Sequence, residues 1–309
     1  MNEFDLIQSY FNWRSTDPNV ALGVGDDAAL FDLESDHQLV TSTDTLVEDI
    51  HFFRETSPSD IAYKSLAVNL SDIAAMGAIA KCFTLSLTLP KINHNWLKEF
   101  STSLKETARL YNVNLIGGDT TKGSLNITIT MMGSIKKGKS IQRSGARNED
   151  DIYISGDLGT AALCLKKMNE GIKPSLNELN KLNRPIPRLE LGSALKDLAS
   201  SCIDVSDGLE QDLSHILNSS DVGATIDAQK LPLGEELSQY IKETNDWSLP
   251  LCGGDDYELC FTADKASRSK LKSLSKTLNI RVTKIGSINA SNELKINGYD
   301  GPRASYQHF

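Results

Sequence analysis

The chain has 309 residues, with 32 Lys and Arg against 41 Asp and Glu and a formal net charge of −9, a balance that excludes a nucleic-acid backbone as the main partner. A hydrophobic content of 39%, with no apolar run near membrane-spanning length, describes an ordinary soluble protein with room for two domains and no membrane partner. Five cysteines without CxxC spacing argue against zinc and a disulfide framework and point to a reducing cytoplasm.

The opening MNEFDLIQSYFNWR is amphipathic and acidic, with Phe4, Ile7 and Phe11 at helical spacing, and lacks the basic and apolar regions of a signal peptide. Val20 to Asp27 reads VALGVGDD, a short apolar strand running into glycines and then Asp26 and Asp27. Gly23, Gly25 and Ala28 imitate GxGxxA, but carboxylates directly after the glycines repel a pyrophosphate, so no dinucleotide fingerprint is read there. Magnesium reverses that objection. Leu39 to Thr43 is a second strand, and Ser42, Thr43 and Asp44 end it in two hydroxyls and a carboxylate, with His51 close behind. Neither Lys nor Arg occurs between Arg14 and Arg54, an interval that holds Asp26, Asp27, Asp32, Glu34, Asp36, Asp44 and other acids. Two unit charges about 4 Å apart repel by roughly 4 kcal/mol at an effective dielectric near 20, so Asp26, Asp27 and Asp44 call for a cation. Asp32, Glu34 and Asp36 read as a solvated face.

Pro58 to Met76 is a helix, opened by Ser57 or Ser59 and closed by Gly77, with Ala62, Leu66, Leu70, Ile73 and Ala74 as its core stripe. Asn69 and Asp72 lie three apart on one face, and Asp72 reads either as a hydrogen-bond partner of a neighbouring loop or as a metal ligand. Phe83 to Leu89 alternates strictly, Trp96 to Tyr111 is helical, and Val113 to Ile116 is a strand ending in GGDTTKG. Leu125 to Gly133 alternates again. This order predicts an α/β layer with helices on one face and a Thr/Ser-rich opposite face suited to pairing with a second subunit.

The polar stretch from Ile141 to Asp151 carries the domain boundary, dividing the chain into domains 1–145 and 146–309. In the second, strands are read at Ile152 to Ser155, Cys202 to Val205, Gly223 to Asp227, Tyr257 to Thr262 and Arg281 to Ile288. Helices are read at Ala161 to Met168, Leu176 to Leu182, Arg188 to Leu198, Leu209 to Asn218, Gly234 to Glu243 and Lys265 to Leu278. The GDLGT loop after the first strand can cradle a phosphate or merely cap its helix.

Hard oxygen donors thus recur where strands end: Asp27, Ser42 to Asp44, Asp119, and Asp204, Ser206 and Asp207 in DVSDG, the ligand type magnesium prefers. Taken in order, GVGDDAAL, TSTDTLVEDIHF, NLSDIAAMGA, LIGGDTTKG, RSGA, DVSDGL and GGDDYELCFT resemble the thiamine-monophosphate kinase family, within the superfamily of aminoimidazole ribonucleotide synthetase and selenophosphate synthetase. The resemblance runs from about Ile7 to Phe309. It implies an N-terminal α/β domain whose sheet closes a barrel in a homodimer, a C-terminal α/β domain, several Mg2+ ions, and direct transfer of the ATP γ-phosphoryl group to thiamine monophosphate. It makes Asp27, Ser42, Thr43, Asp44, Asp72, Asp119, Asp204 and Asp207 metal ligands and turns Gly118, Asp119, Arg143 and Ser206 toward ATP. Asp44, Asp119 and Arg143 take the catalytic roles, and His51, Asp255 and Tyr306 bind the substrate. The family's usual GGED is Gly253-Gly254-Asp255-Asp256 here, one methylene shorter at the substrate-facing carboxylate. Competing readings are another ATP-dependent member of the superfamily and a metal- or nucleotide-binding module without turnover. HRD and DFG are both missing from the sequence, which removes the protein-kinase nucleotide-binding plan.

Overall fold

The computed structural model describes residues 3–13, 15, 17–25 and 28–301, with the backbone alone at residues 3 and 4. In chain order the first elements are α1 (Glu3–Tyr10), β1 (Val20–Leu22), β2 (Leu30–Phe31), β3 (His37–Val47), α2 (Pro58–Ala75), β4 (Ile79–Leu89), α3 (His94–Leu110), β5 (Asn114–Lys122) and β6 (Asn126–Lys136). There follow β7 (Asp151–Ser155), α4 (Thr160–Asn169), α5 (Leu176–Asn183), α6 (Leu189–Leu195), β8 (Ser201–Val205), α7 (Leu209–Ser220), β9 (Gly223–Asp227), α8 (Glu235–Thr244), α9 (Ser248–Cys252), β10 (Glu258–Ala263), α10 (Arg268–Leu278), β11 (Val282–Asn289) and β12 (Leu294–Asn297). The chain divides into two units, residues 1–73 with 78–138 and residues 74–77 with 139–309. Among the described residues no helix is long and apolar enough to cross a membrane.

The first unit carries a four-stranded sheet in the order β3-β6-β4-β5, antiparallel except for the β4–β5 pair. Alternation along β4 and β6 buries Phe83, Leu85, Leu87, Ile127, Ile129 and Met131 on one side, while Thr84, Ser86, Thr88, Thr128 and Thr130 stay half-exposed on the other. Helix α2 begins with Pro58 in the first helical position and the Ser57 hydroxyl accepting from Asp60 N at 3.1 Å. It stops at Gly77, whose φ of +68° is the left-handed conformation that glycine adopts most cheaply. Its predicted stripe is fully realised, since Ala62, Leu66, Leu70, Ile73 and Ala74 are all buried. Strands β3 and β5, like β6, outrun their predicted ends. Strand β3 stays in unbroken register with β6 as far as Val47 opposite Asn126, and β5 continues through Lys122 opposite Leu89. Ser42 to Asp44 and Asp119 therefore lie within strands, because ladder pairing continues wherever β-prone residues and a partner remain. Strand β1 pairs antiparallel with β2, a strand that was not predicted.

In the second unit a six-stranded sheet runs β12-β9-β11-β7-β10-β8, antiparallel except for β12–β9. Ile152, Ile154, Ile203, Val205 and Cys260 pack on one face with Leu209, Leu213 and Ile216 of α7, while Tyr153, Cys202, Leu259 and Phe261 pack on the other with Leu191 and Leu195 of α6 and Leu271 of α10. Coverage of both faces explains why β7, β8 and β10 are buried at every position. Predicted and observed elements agree here, with α9 and β12 added.

Candidate active site

In the first unit, alternation aims Ser42 and Asp44 toward α2. The Ser42 hydroxyl donates to Asp72 Oδ2 at 2.5 Å, and Asp44 N donates to Asn69 Oδ1 at 3.2 Å. Asn69 is fully buried and also donates to Ser65 O at 3.0 Å, so it serves as a structural tie between helix and strand. Thr43 is set apart. It points to the opposite face, where its hydroxyl lies 2.9 Å from that of Thr130, because successive residues of a strand face opposite ways. The shared expectation for Ser42, Thr43 and Asp44 is therefore corrected: the side chains brought together are those of Ser42 and Asp72, with Asp44 on the same face.

Asp119 is exposed and sits opposite Ser86 in the β4–β5 ladder. Before it, Gly118 has φ +150°, and a Cβ there would lie 1.8 Å from Leu85 O, so the strands can meet only where this residue lacks a side chain. Gly118 and Asp119 line a cavity of about 530 Å³ together with Gly25 and Ala28. Asp26, Asp27 and Tyr306 lie outside the described residues, yet the residues flanking the aspartate pair border the same cavity as Asp119. His51 follows β3 in a tight turn, and its Nδ1 accepts from Val47 N at 3.0 Å. That bond requires a lone pair on Nδ1, which puts the proton on Nε2 and makes the ring a neutral donor on its other edge. Lys64, buried at 2% exposure on α2, donates to His51 O at 3.4 Å. Among the described residues, the set of His, Cys, Asp and Glu groups close enough to share a metal is Glu34, Asp36 and His37, on an exposed turn where His37 Nδ1 lies 2.9 Å from Asp36 Oδ1. Asp44, Asp72 and Asp119 form no such cluster.

In the second unit, β8 delivers Asp204, buried at 5% exposure, and the chain then turns through Ser206-Asp207-Gly208 into α7. The amides of Ser206 and Asp207 both donate to Asp212 Oδ2, at 3.0 and 3.1 Å. Burial pushes the Asp212 carboxyl up to about 7 against the opposing pull of those amides. Asp255 reaches the same turn, its N donating to Ser206 O at 2.9 Å while Tyr257 N donates to Val205 O at 2.8 Å. The Tyr257 hydroxyl donates to Asp255 Oδ1 at 3.2 Å. Arg143 is exposed on the RSGA turn, whose Gly145 and Ala146 amides each donate to Ser220 Oγ at 3.1 Å. In the GDLGT loop two backbone amides are engaged by the protein itself. Gly159 N is taken by the Asp256 carboxylate at 2.8 and 2.9 Å, and Leu158 N by Pro232 O at 2.9 Å.

The AIR synthase related protein N-terminal domain matches residues 25–135, and the corresponding C-terminal domain matches residues 127–298. Over 295 residues the chain is 45% identical to the thiamine-monophosphate kinase of Haemophilus influenzae, covering 94% of this chain and 90% of the relative. The chain belongs to the thiamine-monophosphate kinase family. The Escherichia coli (strain K12) member is 43% identical over 297 residues, covering 94% of this chain and 91% of the relative. A crystal structure of thiamine-monophosphate kinase from Stenotrophomonas maltophilia superposes with a TM-score of 0.87 at 39% identity and 95% coverage of both chains. AaThiL complexed with AMPPCP and TMP superposes at 0.81 with 26% identity, over 99% of this chain and 96% of that one.

Asp212 escaped the sequence reading of this thiamine-monophosphate kinase family member. Its signal was an acid on the apolar stripe Leu209, Leu213, Ile216 of α7, a position that packing alone assigns to a hydrophobe. Asp256 escaped it too, because it was read only as the neighbour of Asp255. Its partner, Gly159, lies 97 residues earlier in the chain.

Proposed function

We propose that this chain transfers the γ-phosphoryl group of ATP to thiamine monophosphate, forming thiamine diphosphate and ADP. The observation that carries this reading is 43–45% identity to curated thiamine-monophosphate kinases over 94% of the chain. Beside it stands the fold shared with a relative that holds AMPPCP and TMP. ATP is the co-substrate and Mg2+ the resident metal. The donor set fits magnesium, since Ser42, Asp44, Asp72, Asp119, Asp204 and Asp207 offer only hard oxygens. Asp27 joins them, and the Thr43 side chain does not. When bound, the metal neutralises phosphate charge and aligns the reacting oxygens.

The chain's own groups do the rest. Gly118 lets a phosphate approach the backbone, and Arg143 and Ser206 supply a guanidinium and a hydroxyl to ATP oxygens. The acceptor is already an ionised phosphate monoester, so no strong base is needed. His51 accordingly serves as an Nε2–H donor to the acceptor, while Asp255 and Tyr306 hold the thiamine portion. Two copies of the chain pair through the Thr/Ser face of the β3-β6-β4-β5 sheet. Support comes from Leu39 and Ile79, both opposite Ser134 on that face and about half exposed, at 51% and 50%. The five cysteines, all free thiols, agree with a reducing cytoplasm. The test is purified chain with thiamine monophosphate and Mg·ATP, followed by separation of thiamine diphosphate, with and without EDTA. Product that forms only with metal is expected. ADP release without thiamine diphosphate would overturn the reading.

A further inference from the structure

We propose that Asp212, which touches neither ATP nor acceptor, is the positioning residue that holds the Ser206-Asp207 turn and, through it, the Asp255 loop; this rests on the kinase reading above. Ser206 is held through both of its backbone groups, which belong to the two peptide units that flank it. Its N–H is held by Asp212 Oδ2, together with that of Asp207, and Ser206 O receives Asp255 N at 2.9 Å. Neighbouring Val205 O receives Tyr257 N at 2.8 Å. No side chain cushions the two loops, since a Cβ on Gly254 would lie 2.3 Å from Ser206 O and one on Gly208 2.6 Å from the Cys252 backbone. A shift of the turn therefore transmits directly to Gly254 and Asp255. Asp212 itself is 3% exposed and reaches back across the first turn of α7, so the helix, anchored in the core by Leu209, Leu213 and Ile216, sets where both loops stand. One oxygen of Asp212 accepts both amides, and the bonds are charge-assisted when the group is ionised. The same bonds take the turn's two amides out of reach of phosphate, which leaves the Ser206 hydroxyl and the Asp207 carboxylate as the groups it offers.

One carboxylate thus couples the metal-bearing turn to the acceptor loop, and its loss should disturb both together. In Asp212→Ser the two amides lose their acceptor. The half-saturating Mg2+ concentration and the KM for thiamine monophosphate should both rise several-fold, with kcat/KM falling on the order of a hundredfold, as expected for groups misplaced by about 1 Å. Asp212→Asn keeps one oxygen in place and should recover most of that loss. A merely structural role predicts instead that turnover follows the folded fraction while Mg2+ half-saturation and KM stay at parental values, and that result overturns the proposal. If Asp212→Ser does not fold, amide hydrogen exchange in the unaltered protein decides. Slow exchange at Ser206 and Asp207 without nucleotide or metal supports the clamp, and exchange as fast as in exposed loops refutes it. Absence of thiamine diphosphate with the parent chain would instead sink the kinase reading, so the two failures are distinguishable.

Discussion

Gly118→Ala, set beside Gly117→Ala, separates a backbone requirement from ordinary packing at adjacent positions of β5. At Gly118 the new Cβ would lie 1.8 Å from Leu85 O, inside the 3.0 Å limit that real Cβ contacts respect, so the strands must part by about 1.2 Å there. The φ of +150° adds strain of about 1–3 kcal/mol for a residue with a side chain. Parting the β4–β5 ladder around Leu85 weakens one or two hydrogen bonds at roughly 1 kcal/mol each. The sum is about 2–5 kcal/mol, enough to lower Tm by on the order of 10 °C. At Gly117 the nearest atom to a Cβ is Thr84 Cγ2 at 3.8 Å, an ordinary contact, so alanine there should leave stability within about 1 kcal/mol of the parent. Asp119 follows Gly118 directly, and a displacement of about 1 Å should cost Gly118→Ala on the order of a hundredfold in kcat/KM. Thermal melting and the thiamine diphosphate assay on both variants make the comparison. Equal melting and equal turnover in the two would refute the steric argument.

Asp119→Asn keeps size and shape but removes one charge, so turnover should fall on the order of a hundredfold or more, equivalent to about 2.7–4 kcal/mol, while metal-free melting stays level or rises; near-normal turnover would remove Asp119 from the site. Asp255→Asn should raise the KM for thiamine monophosphate and leave that for ATP nearly unchanged, a split that steady-state kinetics reads directly. Burial pushes the Asp151 carboxyl up, but Arg268 at 2.5 and 2.8 Å and Lys284 at 2.5 Å outweigh it and hold the group at about 2. A pKa depressed in the folded state contributes stability that is fully present above the unfolded value near 4 and is lost as pH falls from about 4 to about 2. Asp151→Asn should therefore cost about 2 kcal/mol at neutral pH and flatten the acid limb of a denaturation profile; an unchanged limb would count against the pairing. Thr130→Lys puts a charge on the outer sheet face beside Thr43 and should shift light scattering from dimer to monomer, whereas an unaltered dimer would move the interface elsewhere.

Local pattern determined much of this protein by itself. The alternation in Phe83 to Leu89 and Leu125 to Gly133 set strand type and buried face, because a strand's two faces follow directly from a period of two. The stripe of α2, its Ser57 cap and its Gly77 stop were equally legible, since each depends on neighbours within one or two turns. The ordered acidic and glycine phrases marked the family and the candidate site. Other features required tertiary structure. Strand ends were misjudged at Thr43 and Ile116, because pairing with β6 and β4 extends β3 and β5 beyond what each segment signals alone. The separation of Thr43 from Ser42, by contrast, follows from the period of two within the strand already read at Leu39 to Thr43. The sheet order β12-β9-β11-β7-β10-β8 places β7 beside β10 and brings Ser155 Oγ to 2.5 Å from Glu258, while the start of α6 brings Arg188 Nε to 2.7 Å from the same carboxylate. In the same way neither Asp212 nor Asp256 was assigned a partner from the sequence. Asp212 meets the Ser206 and Asp207 amides, six and five residues before it, once the turn folds back over the start of α7, whereas the Gly159 amide that meets Asp256 lies 97 residues earlier and is supplied only when distant segments pack.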